Sequence, residues 1–141
     1  MKRVVALALA ALLGSPLVAR ARETEKHDYL LHCSGCHRPD ASGTPGTVPS
    51  LFGIDRFARS EEGRAYLVGV PGVAQAPVSD ERLAALLNWL VREHAAARAD
   101  EAALPFTAGE VARLRAAPLR DPAPVRARVI GTTEGIGEEK Q

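Results

Sequence analysis

Aromatic residues are scarce in this chain of 141 residues, at 4% of the whole: three Phe, two Tyr and one Trp. Aromatic side chains carry much of the apolar area in ordinary cores, so one domain of this length would have a thin core unless another large apolar group filled it. Methionine occurs once, as Met1. The longest unbroken apolar run, Val4 to Leu13, has ten residues, far short of the roughly 20 that cross a bilayer. Sustained alternation of apolar and polar residues is missing, which argues against a half-buried sheet. Neither sign of charge dominates, with 18 Lys and Arg against 17 Asp and Glu. A basic surface for nucleic acid or for membrane lipid is therefore not expected. Only two cysteines occur, Cys33 and Cys36, and one bridge across so short a loop would add little stability.

What is present begins at the N-terminus. Met1-Lys2-Arg3 is basic, Val4–Leu13 is apolar, Gly14-Ser15-Pro16 breaks the run, and Ala19-Arg20-Ala21 offers small residues to a signal peptidase. The pattern predicts a secretory leader over 1–21, cut after Ala21, and hence an exported, periplasmic protein. Loss of Lys2, Arg3 and Arg20 lowers the basic count from 18 to 15 against 17 acidic residues, so the formal charge moves from +1 to −2.

Along the remainder, helices dominate. Glu23–Cys36 reads as one helix, and the Pro- and Gly-rich stretch Arg38–Ser50 as loop. Ser60 caps a short helix through about Leu67, and Gly69–Pro77 reads as a second loop. Ser79 caps the clearest helix, with Leu83, Leu86, Leu87, Leu90 and Val91 recurring at helical spacing as far as His94. Thr107 and Glu110 form a capping box for another helix. Asp121-Pro122 opens a last one, closed by Gly131, and the polar residues beyond read as disordered. The organisation expected is a domain over 22–97, a helical extension over 98–131 and a tail over 132–141.

Cys33-Ser34-Gly35-Cys36-His37 is a C-x-x-C-H motif, the attachment signature of c-type haem. On one helical turn the two cysteines point to the same side and reach the two vinyl groups of one porphyrin as thioethers. His37 follows directly, so its imidazole lies under the ring centre and ligates the iron. Three other chemistries use similar residues. A thioredoxin-like pair needs a strand before the motif, a zinc site needs His32, His37 or His94 to converge on the thiolates, and a plain disulfide gives His37 no role. An exported chain reaches the compartment where c-type haem is attached, and one haem c per chain is the cofactor expected.

From Tyr29 to Val91 the chain resembles the small class I cytochromes c of bacteria. The resemblance is carried by C-S-G-C-H at 33–37, T-V-P-S-L at 47–51, V-P-G-V-A-Q-A-P-V-S-D at 70–80 and L-L-N-W-L at 86–90. It implies an all-α fold of a few helices around one covalent haem. It also implies that the Pro49 carbonyl receives the outer nitrogen of His37, and that Trp89 helps pack the terminal helix on the first one near the haem edge. One of Arg56, Arg59 and Arg64 could pair with a haem propionate. The segment after about Ala97 lies outside the resemblance.

The family usually supplies a methionine as the sixth iron ligand, from the loop before the last helix. Counted back from Ser79-Asp80, that position here is Val73, which cannot ligate. An open iron above Val73 is the simplest reading, with Gln75 or a water it holds as an alternative. His27 and His32 lie on the His37 side, and His94 sits about 20 Å of helical rise from the loop. A single-electron carrier with a redox partner such as a dehydrogenase, an oxidase or another cytochrome is the leading function. A ligand-binding haem module and a haem subunit docked through 104–130 are the competing ones.

Overall fold

The structure, a computed structural model, describes residues 16–96 and 104–138, with 16–23 and 132–138 described by their backbone alone. The expected leader lies outside the described residues as far as 15, and 16–21 open the first helix. Eight helices follow among the described residues: α1 (Pro16–His32), α2 (Ser34–His37), α3 (Asp55–Ala58), α4 (Glu61–Gly69), α5 (Pro71–Ala74), α6 (Asp80–Glu93), α7 (Ala108–Arg115) and α8 (Pro122–Glu138). One isolated bridge, Thr44 with Val48, is the single sheet-like pairing among them. The fold is all-α, as the missing period-two pattern requires.

The polar caps form as their chemistry dictates. Ser60 accepts from the Gly63 amide at 3.0 Å, Ser79 from Arg82 at 3.3 Å, and Thr107 from Glu110 at 3.2 Å. Each satisfies an amide that the first helical turn would leave without a partner.

Boundaries differ from the sequence reading in several places, and α1 already begins at Pro16 rather than Glu23. The first helix does not run unbroken to Cys36: Cys33 departs from helical angles at φ −121°, so α2 starts afresh. The 69–77 segment is not all loop, because Pro71 stands where a helix begins and opens the single turn α5. A proline there loses no hydrogen bond and presets φ. The last helix passes through Gly131 and reaches Glu138.

The core joins α1, α4 and α6 through Tyr29, Leu67, Val68, Leu83, Leu86, Leu87 and Leu90, and it includes Phe106, Val111 and Val129 from the C-terminal segment. That segment is docked by paired bonds. Asn88 donates to the Phe106 carbonyl at 3.0 Å and accepts from the Phe106 amide at 2.7 Å. The Arg64 guanidinium meets Glu110 at 2.6 Å and the Leu104 carbonyl at 2.7 Å. Asp28, almost wholly buried at 1% exposure, is held by both arms of the Arg82 fork, one of them at 3.1 Å. This ion pair ties α1 to α6. α3 and α4 approach closely because Gly63 has no side chain; a Cβ there would run into the Phe57 carbonyl.

Candidate haem site

The motif is shaped by local hydrogen bonding. The Cys33 amide still bonds the Tyr29 carbonyl at 2.9 Å, and the amides of Cys36 and His37 return to the Cys33 carbonyl at 3.2 and 2.9 Å. This winds 33–37 into one turn, which brings residues three and four apart to one face. Arg38 then takes a left-handed conformation, φ 65°, and reverses the chain. Its carbonyl receives the buried Tyr29 hydroxyl at 2.5 Å, which anchors the turn to the core.

Cys33, Cys36 and His37 all line one cavity of about 430 Å³, within the range of ordinary cofactor pockets. Leu51, Phe52, Ile54 and Phe57 form one part of its wall, Tyr66, Leu67, Val70 and Val73 another, with Leu87 and Leu90 from α6. Both thiols are free. Burial pushes the Cys33 thiol up to about 11, and the nearby charges of Asp28 and Cys36 add to the effect. A thiol-exchange centre needs the opposite shift, toward thiolate, so a thioredoxin-like role does not suit this pair.

His37 is fixed from outside the motif. Its Nδ1 lies 3.0 Å from the Pro49 carbonyl oxygen. A carbonyl only accepts, so the proton sits on Nδ1 and the Nε2 lone pair stays free. Burial lowers the His37 pKa, and the bond to Pro49 opposes that shift in part. The geometry depends on the 43–49 turn. The Gly43 amide bonds the His37 carbonyl at 3.0 Å, and Gly43 sits at φ +69° with its missing Cβ facing the carbonyls of Val48 and Pro49. Glycine is the residue that meets both demands.

Val73 is on the cavity wall, half-buried, and the exposed Pro49 lines the cavity as well. Gln75 and Trp89 are not. Gln75 is exposed and lies off the wall. Trp89 is buried at 8% exposure, its ring 5.8 Å from that of Tyr29. It packs α6 on α1, which is the helix contact expected of it, but it does not line the cavity. The three arginines separate likewise. Arg59 pairs with Asp55 at 2.6 Å, Arg64 with Glu110, and Arg56 alone lines the cavity.

Among the wall residues that the sequence reading did not place at the site are Tyr66 from α4 and Pro122 and Arg126 from α8. Tyr66 read as part of an ordinary short helix, and no sequence signal brings residue 126 beside residue 66. One further contact was equally hidden. Arg115 donates to the carbonyls of Ala74 at 3.0 Å, Ala76 at 2.6 Å and Val78 at 3.0 Å, and to the Asp80 carboxylate at 2.9 Å. The segment that follows Val73 is thus held by a side chain about 40 residues away in sequence.

His94 does not converge on the thiols: its ring stands edge-on to Phe52 at 5.6 Å and to Trp89 at 6.1 Å. Among the described residues no group of three or more His, Cys, Asp and Glu is placed to hold a metal ion by itself. A second hollow, of about 630 Å³, lies beside Arg64, Leu104 and Glu110, but Arg64 and Glu110 already bond each other and it has neither cysteine nor histidine. The donor set of the smaller cavity fits a covalently attached haem: two free thiols, one imidazole with a committed tautomer, and apolar walls.

No protein-family model matches the chain. It is similar to a cytochrome c-552 of Thermus thermophilus, 32% identical over 124 residues that cover 74% of this chain and 82% of that protein. A second cytochrome c-552 of Thermus thermophilus is 33% identical over 103 residues, covering 60% of this chain and 79% of its own length. Likeness of that extent reaches well beyond a five-residue motif, and it agrees with the helical fold and with the pocket behind Cys33 and Cys36: the chain belongs to the c-type cytochromes.

Proposed function

We propose that the protein is an exported, periplasmic monohaem electron carrier. The observation that carries this reading is the meeting of Cys33, Cys36 and His37 on one apolar cavity, with His37 oriented by the Pro49 carbonyl. Cys33 and Cys36 would hold one haem c through thioether bonds, and Nε2 of His37 would ligate its iron. When bound, the haem supplies a one-electron Fe(III)/Fe(II) couple. The chain's own residues do the rest. Leu51, Ile54, Phe57, Leu67, Leu87 and Leu90 exclude water from the ring, and the Pro49 carbonyl strengthens His37 as a donor to iron. Arg56 stands on the wall as a partner for a propionate.

Cys36 is exposed and Cys33 half-buried, so a haem held by them would be attached near the surface, where a redox partner could accept or deliver an electron. No helix among the described residues is long and apolar enough to cross a membrane. A subunit anchored on a larger enzyme through 104–130 is less well supported, because Phe106, Val111 and Val129 are buried against this chain itself. Val73, which cannot ligate, lines the cavity and stands where the resemblance expects a methionine, so a bound haem would lack that sulfur ligand and would have a reduction potential below that of a methionine-ligated haem. Replacing Cys33 and Cys36 by Ser tests the assignment. The wild type should retain haem after denaturation and acid–organic extraction, and the double variant should release it. A wild type that releases all its haem would contradict the proposal.

A further inference from the structure

Val70 to Val73 form one stretch of the cavity wall, and the segment that carries Val73 has few bonds of its own to the rest of the fold. The turn α5 closes on itself: the Gln75 amide returns to Pro71 at 3.1 Å, Ala76 to Val73 at 3.1 Å and Val78 to Ala76 at 2.8 Å. A single turn is not stable alone, so its position depends on what holds it. Among the described residues, every hydrogen bond that reaches 71–78 from a distant part of the chain comes from Arg115. Its guanidinium takes the carbonyls of Ala74, Ala76 and Val78 together, and the Asp80 carboxylate besides.

The other end of the stretch is held as well. The Leu119 amide bonds the Gly69 carbonyl at 2.8 Å, and a Cβ on Gly69 would stand 3.2 Å from the Leu119 side chain. Neither Arg115 nor Leu119 lines the cavity, so the C-terminal segment grips this wall from its far side. Val70, Val73 and Val78 also pack against the core. Apolar contact is non-directional, and it presses the segment inward without fixing where Val73 stands; the bonds to Arg115 fix that.

We infer that Arg115 is a positioning residue for the haem: the wall it holds admits narrow ligands to the iron and refuses ring-shaped ones. The inference rests on the haem assignment proposed above and deepens it; on that assignment this wall faces the iron on the side away from His37. Val70, Pro71, Gly72 and Val73 carry no polar side chain, so the wall sorts ligands by shape. A rod-like ligand needs a gap one atom wide. A planar ring needs the wall to move, and movement breaks several bonds at once because they converge on one guanidinium. The cost therefore falls on the ring-shaped ligand alone.

Imidazole is the ring-shaped probe and azide the narrow one, each titrated into the ferric holoprotein and followed by absorption. Arg115→Met removes the guanidinium and keeps an apolar stem. It is expected to tighten imidazole binding about tenfold, the equivalent of 1.4 kcal/mol, while azide affinity changes less than about twofold. Arg115→Lys keeps the charge but cannot reach all the acceptors, and a gain of about threefold for imidazole is expected; it decides the matter should Arg115→Met fail to fold. A general loss of stability would not change the ratio of the two affinities. A ratio within about twofold of wild type in the folded variants would overturn the inference. So would equal gains for both ligands, or failure of all the proteins to bind either one. Thioether-bound haem is checked first, on denatured protein. Its absence in the wild type is the failure of the haem assignment, whereas its presence with an unaltered ratio is the failure of this inference alone.

Discussion

The Nδ1 of His37 and the carbonyl oxygen of Pro49, twelve residues apart in sequence, lie 3.0 Å from each other. The contact ties the orientation of the histidine to the conformation of the 43–49 turn. Gly43, left-handed at φ +69° and pressed against the Val48 and Pro49 carbonyls, is the residue on which that turn depends.

Gly43→Ala should therefore reach the iron without touching it. The new methyl displaces the Pro49 carbonyl, and the strained backbone costs about 1–3 kcal/mol. A weaker acceptor leaves His37 a poorer donor, so the reduction potential should rise. Thermal melting and a potentiometric titration check the two effects separately.

Val73→Met should give the proposed haem a sulfur ligand that the chain otherwise lacks. A thioether on the wall at 73 would take the sixth position if, as proposed, the iron has no ligand there. The expected outcome is a higher potential and loss of carbon monoxide binding by the ferrous form. Unchanged carbon monoxide binding would show that position 73 does not face the iron.

Arg115→Met should loosen the segment after Val73 while keeping the apolar stem of the side chain. It leaves the carbonyls of Ala74, Ala76 and Val78 and the Asp80 carboxylate without their common donor. Part of this loss is made up by water at Asp80, which is 37% exposed, so a cost of about 2–3 kcal/mol is expected. Denaturant unfolding measures it. Faster azide release from the ferric form would show that the loosening reaches the cavity.

Acid should act on the docked C-terminal segment. Hydrogen bonding to Arg64 holds the Glu110 carboxyl below its ordinary value of 4.5, against the opposing effect of burial. A carboxyl lowered in the folded state favours folding at pH values above its unfolded value. That contribution is lost as pH falls through the lower, folded-state value. Stability followed from pH 6 downward should thus decline more steeply below about 4.5 in the wild type than in Glu110→Gln. The variant should already be less stable at neutral pH, by about 2 kcal/mol.

What the sequence could reveal is local. The C-x-x-C-H turn, the caps at Ser60, Ser79 and Thr107, and the leucine stripe of α6 all depend on residues within a few positions of one another. The turn α5 was obscured because Pro71 and Gly72 read as loop formers, although proline suits the first position of a helix. Gln75 belongs to the right segment but faces away from the cavity, and Trp89 serves the contact with Tyr29. Tyr66, Arg126 and Arg115 matter through long-range packing: α4 meets α8 across the cavity, and α7 lies over the segment after Val73. No spacing in the sequence encodes those meetings.

The most direct test of a haem held by Cys33, Cys36 and His37, with nothing from the protein at the sixth position, is an electron paramagnetic resonance spectrum of the purified ferric protein at neutral pH. A predominantly high-spin haem signal is the predicted result. A wholly low-spin signal, showing a strong second ligand from the chain, would contradict it.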